Sequence, residues 1–179
     1  MIIITTQCFY PQIGGIEALM SGMAEAMATS GKDVLVIADG PMNETDNLQI
    51  YKIKRFNAWK PIRRINKARY VKDICKGGEI ESIYADSWKS IEYLKLIDVP
   101  IHVLAHGTEI QKKFNPLNFY KYCKQIRIHR SYMNAKNIAA NSNYTKELLI
   151  ESINIDRNKI KIIHPGVDVY DKFIHESTI

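Results

Sequence analysis

Two adjacent glycines, Gly14 and Gly15, lie between an apolar run at residues 2–4 and a segment of helical periodicity that begins at Ile16. Since glycine has no Cβ, the backbone can turn sharply here and bring its N–H groups close to a ligand at the helix N-terminus. The alternative is that the pair only makes the turn, because one glycine pair is a weak motif. Glu17 either complements the positive end of the helix or accepts hydrogen bonds from the hydroxyl groups of a sugar ligand.

A second group of candidate residues, His106-Gly107-Thr108-Glu109, follows the apolar run at residues 100–105. A histidine directly after a strand and before a glycine places an imidazole and an open backbone at the strand end. His106, Gly107 and Glu109 are therefore candidate site residues. His102 cannot share a metal with His106, because four residues along a strand separate them by roughly 13 Å. We expect His102 to be a packing residue.

Polar residues follow a third apolar run, where Asn141-Ser142-Asn143-Tyr144-Thr145 comes after residues 137–140. Ser142 or Asn143 can cap the helix that the next residues predict. Because this is again a junction between a strand and a helix, the same side chains and N–H groups could instead face a ligand. Both interpretations stay open at this point.

These residues are positioned by an alternation of strands and helices. The apolar patterns predict strands over 2–6, 33–38, 48–56, 82–85, 100–105, 137–140 and 159–164, the third of them nearer an edge, and helices over about 16–29, 61–77, 87–97, 115–133 and 143–153. Alternation of this kind predicts an α/β fold, a Rossmann-like parallel sheet with helices on both faces. Ligands of such sheets bind outside the carboxyl ends of the strands.

The charge distribution indicates an anionic partner. The net charge is +6, residues 52–76 carry ten basic residues against the single acid Asp73, and residues 110–146 contain no acid. Such a partner could be a nucleic acid, a membrane surface or a phosphorylated substrate, and no nucleic-acid-binding signature accompanies the charge. Arg63, Arg64 and Lys67 lie on a solvated helix face or contact a lipid headgroup or phosphate. The aromatic and basic residues of 115–133 predict either an interfacial surface or a core face.

The compartment follows from the cysteines and the apolar runs. Cys8, Cys75 and Cys123 are odd in number and form no CxxC pattern, so neither a disulfide framework nor a zinc site is indicated. No apolar run approaches the ~18 residues of a spanning helix, and no basic segment precedes the first run. We expect a cytoplasmic protein, with a peripheral position at the inner face of the cell membrane as the further hypothesis.

Four segments together resemble the N-terminal half of family-4 glycosyltransferases: YPQIGGIE after the first strand, HGTE, IAANSNYTKELL and KIKIIHPGVD. The resemblance implies one half of a GT-B fold, in which two Rossmann-like domains face each other across a cleft. It also implies transfer of a hexose from a nucleotide-diphosphate sugar with retention of configuration, with no metal and no cofactor. The first domain chiefly holds the acceptor, a glycan or lipid-linked molecule, as in polysaccharide biosynthesis.

By this resemblance, Gly14 and Gly15 would approach the donor phosphate and sugar, and His106 would touch the transferred sugar near the reacting carbon. Ser142 and Thr145 match the family pattern at the helix beside the cleft. Residues 1–165 would form the acceptor-side domain and 166–179 the start of the interdomain linker. The basic pair and the two glutamates of the donor-binding domain are not found, so we expect the chain alone to be inactive. The rival hypothesis is a non-catalytic module that binds an anionic glycan, a lipid headgroup or a partner protein.

Overall fold

The computed structural model describes residues 1–110 and 119–164, which form one parallel sheet of seven strands. The strands are β1 (Ile2–Thr5), β2 (Val34–Asp39), β3 (Lys52–Phe56), β4 (Ser82–Ala85), β5 (Ile101–Ala105), β6 (Asn137–Ala140) and β7 (Ile160–Ile162). Their order is β3-β2-β1-β4-β5-β6-β7, and every neighbouring pair is parallel. The predicted Rossmann-like parallel sheet is confirmed.

Five α-helices connect these strands within the described residues. They are α1 (Gly15–Thr29), α2 (Lys60–Gly77), α3 (Trp88–Ile91), α4 (Phe119–Met133) and α5 (Asn143–Ile153). Each helix leaves the C-terminal end of a strand and runs back along the sheet, so the helix N-termini gather at the edge where the strands end. None of the described helices is long and apolar enough to cross a membrane.

Both faces of the sheet carry a core, which explains the uninterrupted apolar runs of β1 and β2. On one face Ile2, Ile4 and Val36 pack with Met20 and Ala24 of α1. The other face carries the larger cluster, in which strand residues pack against the buried sides of α2, α3, α4 and α5. Helices therefore lie on both faces, as the sequence predicts.

Helix α1 covers only part of its face of the sheet. Beside α1 a groove of about 390 Å³ runs over β4, β5, β6 and β7. Tyr84, His102 and Leu104 form part of its floor, with the rings of Tyr84 and His102 stacked at 4.9 Å between centroids. The Asn137 amide lies 3.1 Å from Nδ1 of His102, and burial together with the nearby Lys136 lowers the pKa of that imidazole. His102 is thus a packing residue, as expected.

Two predicted elements differ from the structure. The strand predicted over 48–56 begins only at Lys52, because Glu44–Leu48 forms a 3-10 turn that Asn43 caps. The helix predicted over 87–97 ends at Ile91, and Leu96 lies in the left-handed region at φ 59°. The predicted start of the fourth helix at residue 115 and the predicted domain boundary at 165–166 lie outside the described residues.

Candidate functional site

The site is built from residues that directly follow the strands at the centre of the sheet. Thr6 follows β1, Asp86 follows β4, His106 follows β5 and Asn141 follows β6. Since these four strands are neighbours and parallel, their ends meet at one edge. This edge is where open α/β sheets bind ligands.

Asp86 is the best-connected of these residues. It is 2% exposed, and its Oδ2 accepts hydrogen bonds from the Gln7 N–H at 2.7 Å and the Thr6 hydroxyl at 3.0 Å. Its Oδ1 accepts from the hydroxyls of Ser87 at 3.2 Å and Ser90 at 2.5 Å. A buried carboxylate is costly unless its oxygens are hydrogen-bonded, and here four donors satisfy both of them.

His106 is half-buried, and its ring is oriented by the same residue. Nε2 of His106 lies 3.0 Å from the main-chain oxygen of Asp86. A carbonyl oxygen can only accept, so Nε2 carries the proton and Nδ1 of the neutral ring is an acceptor. His106 and Asn141 line the groove at its end beside the strand termini. The structure thus gives His106 a defined tautomer at the mouth of a concave site.

Gly107 lies against the start of α5. A Cβ at Gly107 would come within 2.8 Å of the Thr145 hydroxyl oxygen, so only glycine fits this close approach. The Ser142 hydroxyl accepts a hydrogen bond from the Thr145 N–H at 3.2 Å and caps the helix. The predicted capping role of Ser142 is confirmed, and the two segments that contain these residues are in contact.

Thr145 is a correction to the predicted substrate-binding set. Its side chain is 1% exposed, so it cannot touch a substrate. Instead its hydroxyl donates to Oδ1 of Asn141 at 2.6 Å. Thr145 therefore orients Asn141, the residue that does reach the groove.

The side chains of Lys67, Arg55 and Asp86 anchor the loop between β1 and α1, residues 6–14. Lys67 Nζ donates to the Thr6 carbonyl at 2.5 Å, and an Arg55 Nη2–H donates to the Tyr10 carbonyl at 2.5 Å. The third anchor is the bond from the Gln7 N–H to Asp86. Because these anchors come from β3, α2 and β4, the loop is held from both sides of β1.

Glu17 lies across the start of α1. A Cβ at Gly14 would come within 2.2 Å of Oε2 of Glu17, whereas one at Gly15 would meet nothing within 4 Å. The Cys8 thiol is hydrogen-bonded to Glu17, and burial together with the negative charges of Asp86 and Glu17 raises its pKa to about 11. The Glu17 carboxylate thus packs against Gly14, and Gly15 presents open backbone.

Glu109 is held by a lysine. Its Oε1 accepts from Lys89 Nζ at 2.5 Å, and Lys89 also lies 5.9 Å from the centre of the Trp88 ring. Oε2 of Glu109 is buried without a hydrogen-bond partner among the described residues. Within residues 1–110 and 119–164, no three His, Cys, Asp or Glu side chains are grouped as metal ligands.

The predicted membrane contact through α2 is wrong for Lys67. Lys67 is 3% exposed and donates to Oδ1 of Asp39 at 2.8 Å. Burial lowers the pKa of Lys67, an effect that the Asp39 carboxylate opposes. Arg63 pairs with the other oxygen of Asp39 at 2.8 Å, and Arg64 pairs with Glu92 at 3.1 Å. These three bases face carboxylates of the chain itself, Asp39 at the end of β2 and Glu92 directly after α3.

Sequence reasoning missed Asp86, and it named Asn141 only as part of the segment 141–145 without selecting it as a site residue. A simple signal would have found both, since each is the first residue after a strand, as His106 is after β5. Lys67 was misassigned because its partner Asp39 is 28 positions away, and no local pattern shows that pairing.

Solved structures of similar fold include a glycosyltransferase from Rickettsia africae ESF-5, with 23% identity, a TM-score of 0.63, and coverage of 93% of this chain and 43% of that one. The lipopolysaccharide outer core galactosyltransferase WaaB matches at 13% identity and a TM-score of 0.60, over 96% of this chain and 47% of that one. A UDP-GlcNAc 2-epimerase from Methanocaldococcus jannaschii matches at 12% identity and a TM-score of 0.61, over 90% and 45%.

The chain therefore spans about half the length of the solved structures that it resembles. At these identities the likeness shows the fold alone, and a search of the curated proteins gives no match. The family model Glycosyltransferase Family 4 matches residues 13–170 of this chain and shows its family. That match includes the glycine pair, the segment after β5 and the start of α5, and the chain belongs to glycosyltransferase family 4.

Proposed function

We propose that this chain is the acceptor-side domain of a retaining, metal-independent hexosyltransferase, which moves a sugar from a nucleotide-diphosphate donor to a glycan or lipid-linked acceptor. The observation that carries the proposal is His106, held by Asp86 in one tautomer at the mouth of the groove. A fixed polar group of this kind can stabilise charge that develops in a transition state without reorganising.

The proposed roles follow from the geometry. Open backbone at Gly15, beside Gly14, would approach the donor phosphate and sugar, and His106 would contact the transferred sugar near the reacting carbon. Glu17 and Glu109 would accept hydrogen bonds from sugar hydroxyls. The close packing of Gly107 on α5 would bring the segment after β5 to the site, where Ser142 presents its half-buried side chain beside the cleft.

Half of the donor site is expected to come from chain beyond these residues. Contacts at a helix N-terminus contribute only ~0.3–2 kcal/mol, whereas micromolar affinity needs about 8 kcal/mol. Transfer also requires that water be excluded while the acceptor hydroxyl is aligned, which two closing domains achieve. We therefore expect the 179-residue chain alone to bind nucleotide sugars weakly and to transfer none.

The direct test compares this chain with the whole protein to which it would belong. Isothermal titration with UDP-sugars and GDP-sugars should give no micromolar binding to the 179-residue chain, and the whole protein should transfer sugar. Micromolar binding or transfer by the chain alone would contradict the assignment of the donor site. Conversion of UDP-GlcNAc to its 2-epimer by the whole protein would favour an activity like that of the epimerase relatives. Binding of an anionic glycan with no turnover would favour the non-catalytic module.

A membrane surface remains part of the proposal, through aromatic residues that include two from the predicted interfacial segment 115–133, and not through Lys67. Trp59, Phe119 and Tyr120 are 74%, 76% and 75% exposed, at the N-termini of α2 and α4. Glu92 links the two helices by pairing with Arg64 and Arg127. Exposed aromatics at the site edge suit a peripheral protein at the inner, cytoplasmic face of the membrane, where a lipid-linked acceptor would be presented.

Vesicle sedimentation tests this surface. The chain should sediment with anionic vesicles at low salt, since each nearby base adds at most ~1 kcal/mol and is screened by salt. Trp59→Ser combined with Phe119→Ser should abolish sedimentation. Leu96→Ser is the matched control, because Leu96 is fully exposed but lies at the opposite edge of the sheet, before β5. Equal loss in both variants, or equal binding to neutral vesicles, would contradict the proposed surface.

A further inference from the structure

We propose that Asp86 is a positioning residue that holds both sides of the sugar site, His106 through its main-chain carbonyl and the glycine loop through its carboxylate. The inference rests on the proposed function, in which His106 and the loop contact the donor sugar. Asp86 itself is 2% exposed and would touch no substrate.

The first connection fixes the imidazole. His106 Nε2 donates to the Asp86 carbonyl at 3.0 Å, so the neutral ring has its acceptor at Nδ1. Asp86 is also tied to β1, because its N–H donates to the Thr5 carbonyl at 3.3 Å. The ring of His106 is therefore oriented relative to the strand from which the glycine loop begins.

The second connection fixes the loop. Oδ2 of Asp86 accepts the Gln7 N–H and faces the Thr6 hydroxyl, and that hydroxyl also accepts the Cys8 N–H at 3.1 Å. This carboxylate oxygen thus holds the Gln7 N–H directly, beside Thr6, whose hydroxyl also donates to the Cys8 carbonyl at 2.7 Å. A small displacement of a group that aligns reacting atoms costs on the order of 10²-fold in rate, so a residue that sets two such groups has a large effect from outside the site.

The two oxygens of Asp86 provide a matched comparison. Oδ2 faces the loop, whereas Oδ1 accepts the hydroxyls of Ser87 and Ser90 beside and within α3. Thr6→Val and Ser90→Ala each remove one hydroxyl from the same carboxylate, but only Thr6→Val acts on the loop side, where the hydroxyl also contacts the carbonyl and the N–H of Cys8. If Asp86 served only to stabilise the fold, both substitutions would have similar effects on the loop signals.

The first experiment is nitrogen NMR of the 179-residue chain with labelled histidine, which needs no activity. Neutral His106 should show the tautomer protonated at Nε2, and a ring protonated mainly at Nδ1 would overturn the inference. Asp86→Asn keeps the shape and the main-chain carbonyl, so it should shift the Gly14 and Gly15 amide signals and leave His106 protonated at Nε2. Thr6→Val should shift the glycine signals and Ser90→Ala should leave them in place. Equal shifts in the Thr6 and Ser90 variants would also overturn it.

The second experiment measures turnover in the whole protein. Asp86→Asn should lower kcat on the order of 10²-fold. Ser90→Ala should keep kcat within about twofold of the unmodified enzyme. The two variants should have the same melting temperature. Unchanged kcat in Asp86→Asn would overturn the positioning role. Absence of transfer in the unmodified protein would instead refute the proposed function. The NMR measurements of the His106 tautomer and the glycine amide shifts would still test whether Asp86 positions His106 and the loop.

Discussion

Asp39 and Asp86 are buried carboxylates at the same edge of the sheet, but their surroundings differ. Asp39, at the end of β2, is paired with the cations of Lys67 and Arg63. Asp86, after β4, is surrounded by neutral donors, two serine hydroxyls, a threonine hydroxyl and a main-chain N–H. The charged cluster joins α2 to the sheet, whereas the neutral network reaches His106. The part of the edge that would bind substrate is thus built from hydrogen bonds to neutral donors. The part that stabilises the fold is built from ion pairs.

The largest expected effect is on the charged cluster. Asp39→Asn leaves the Lys67 ammonium buried with the Thr6 carbonyl as its remaining acceptor. Removing one partner of a buried ion pair costs ~3–5 kcal/mol, so the free energy of unfolding in urea should fall by about that amount. Glu81→Gln is the control, since it breaks the exposed pair with Lys32 at 3.1 Å and should cost under about 1 kcal/mol. Equal losses would show that Asp39 and Lys67 form no special contact.

Changes in the neutral network should lower turnover more than they lower the stability of the fold. His106→Ala in the whole protein should lower kcat by ~10²–10³, or about 2.7–4 kcal/mol, because it removes a preorganised polar contact to the transition state. The melting temperature should change little, since His106 is half-buried at the groove mouth. His102→Ala, four residues earlier on β5, should retain turnover. Normal turnover with a reduced melting temperature in the His106 variant would return that residue to a structural role.

The third prediction concerns the loss of stability at acid pH. Arg55 donates to both oxygens of Asp46, at 2.6 and 2.7 Å, and these bonds hold the pKa of Asp46 below its ordinary value of 3.8. A carboxyl whose folded pKa is lowered stabilises the fold above its ordinary pKa, and that contribution is lost as the pH falls through the folded pKa. Charged hydrogen bonds of this kind are worth ~1.5–3 kcal/mol. Below pH 3.8 the free energy of unfolding should fall more steeply than in Asp46→Asn.

A control for this acid prediction is available at the surface. Asp33→Asn removes an exposed carboxylate 3.9 Å from Lys52, an ion pair of a kind worth at most about 1 kcal/mol, so it serves as the control for removing a surface carboxylate. If Asp46→Asn and Asp33→Asn gave the same profile, Asp46 would not be the group that titrates with unfolding.

The smallest expected effect is at the start of α5. Ser142→Ala removes the hydroxyl that accepts the Thr145 N–H, and loss of an N-cap costs ~1 kcal/mol. Ser142→Asp keeps a capping oxygen and should retain most of the stability, as measured by thermal unfolding. If the aspartate variant lost as much stability as the alanine variant, the cap would not be the source of the effect.

The sequence predicted those parts of the fold that local patterns determine. Strands buried on both faces need continuous apolar residues, so β1, β2 and β6 were located within a residue or two. The helix over 87–97 was wrong because Trp88, Ile91 and Leu94 are buried at helical spacing, although the helix itself ends at Ile91. Burial alone does not show where a short helix becomes a turn.

The candidate site was predictable where it depends on strand ends and not where it depends on distant partners. His106 could be placed because an apolar run ends directly before it. Thr145 could not be recognised as buried, because the residue that covers it, Gly107, is 38 positions away and its contact depends on how α5 meets the segment after β5. The membrane prediction failed for Lys67 for the same reason, since Asp39 lies on another element.

The interior position of β1, between β2 and β4, has a consequence for synthesis of the chain. β1 leaves the ribosome before both of its neighbours and pairs with β2 from Val34 onward, but its other neighbour starts at Ser82, 80 residues after Ile2 in the paired register. At about 5–20 residues per second, that edge of β1 waits roughly 4–16 s for its partner. During this interval the row of N–H and C=O groups along Ile2, Ile3 and Ile4 is an open template for pairing with another chain. We expect the nascent protein to depend on a chaperone until β4 has emerged, long before any sugar can be bound.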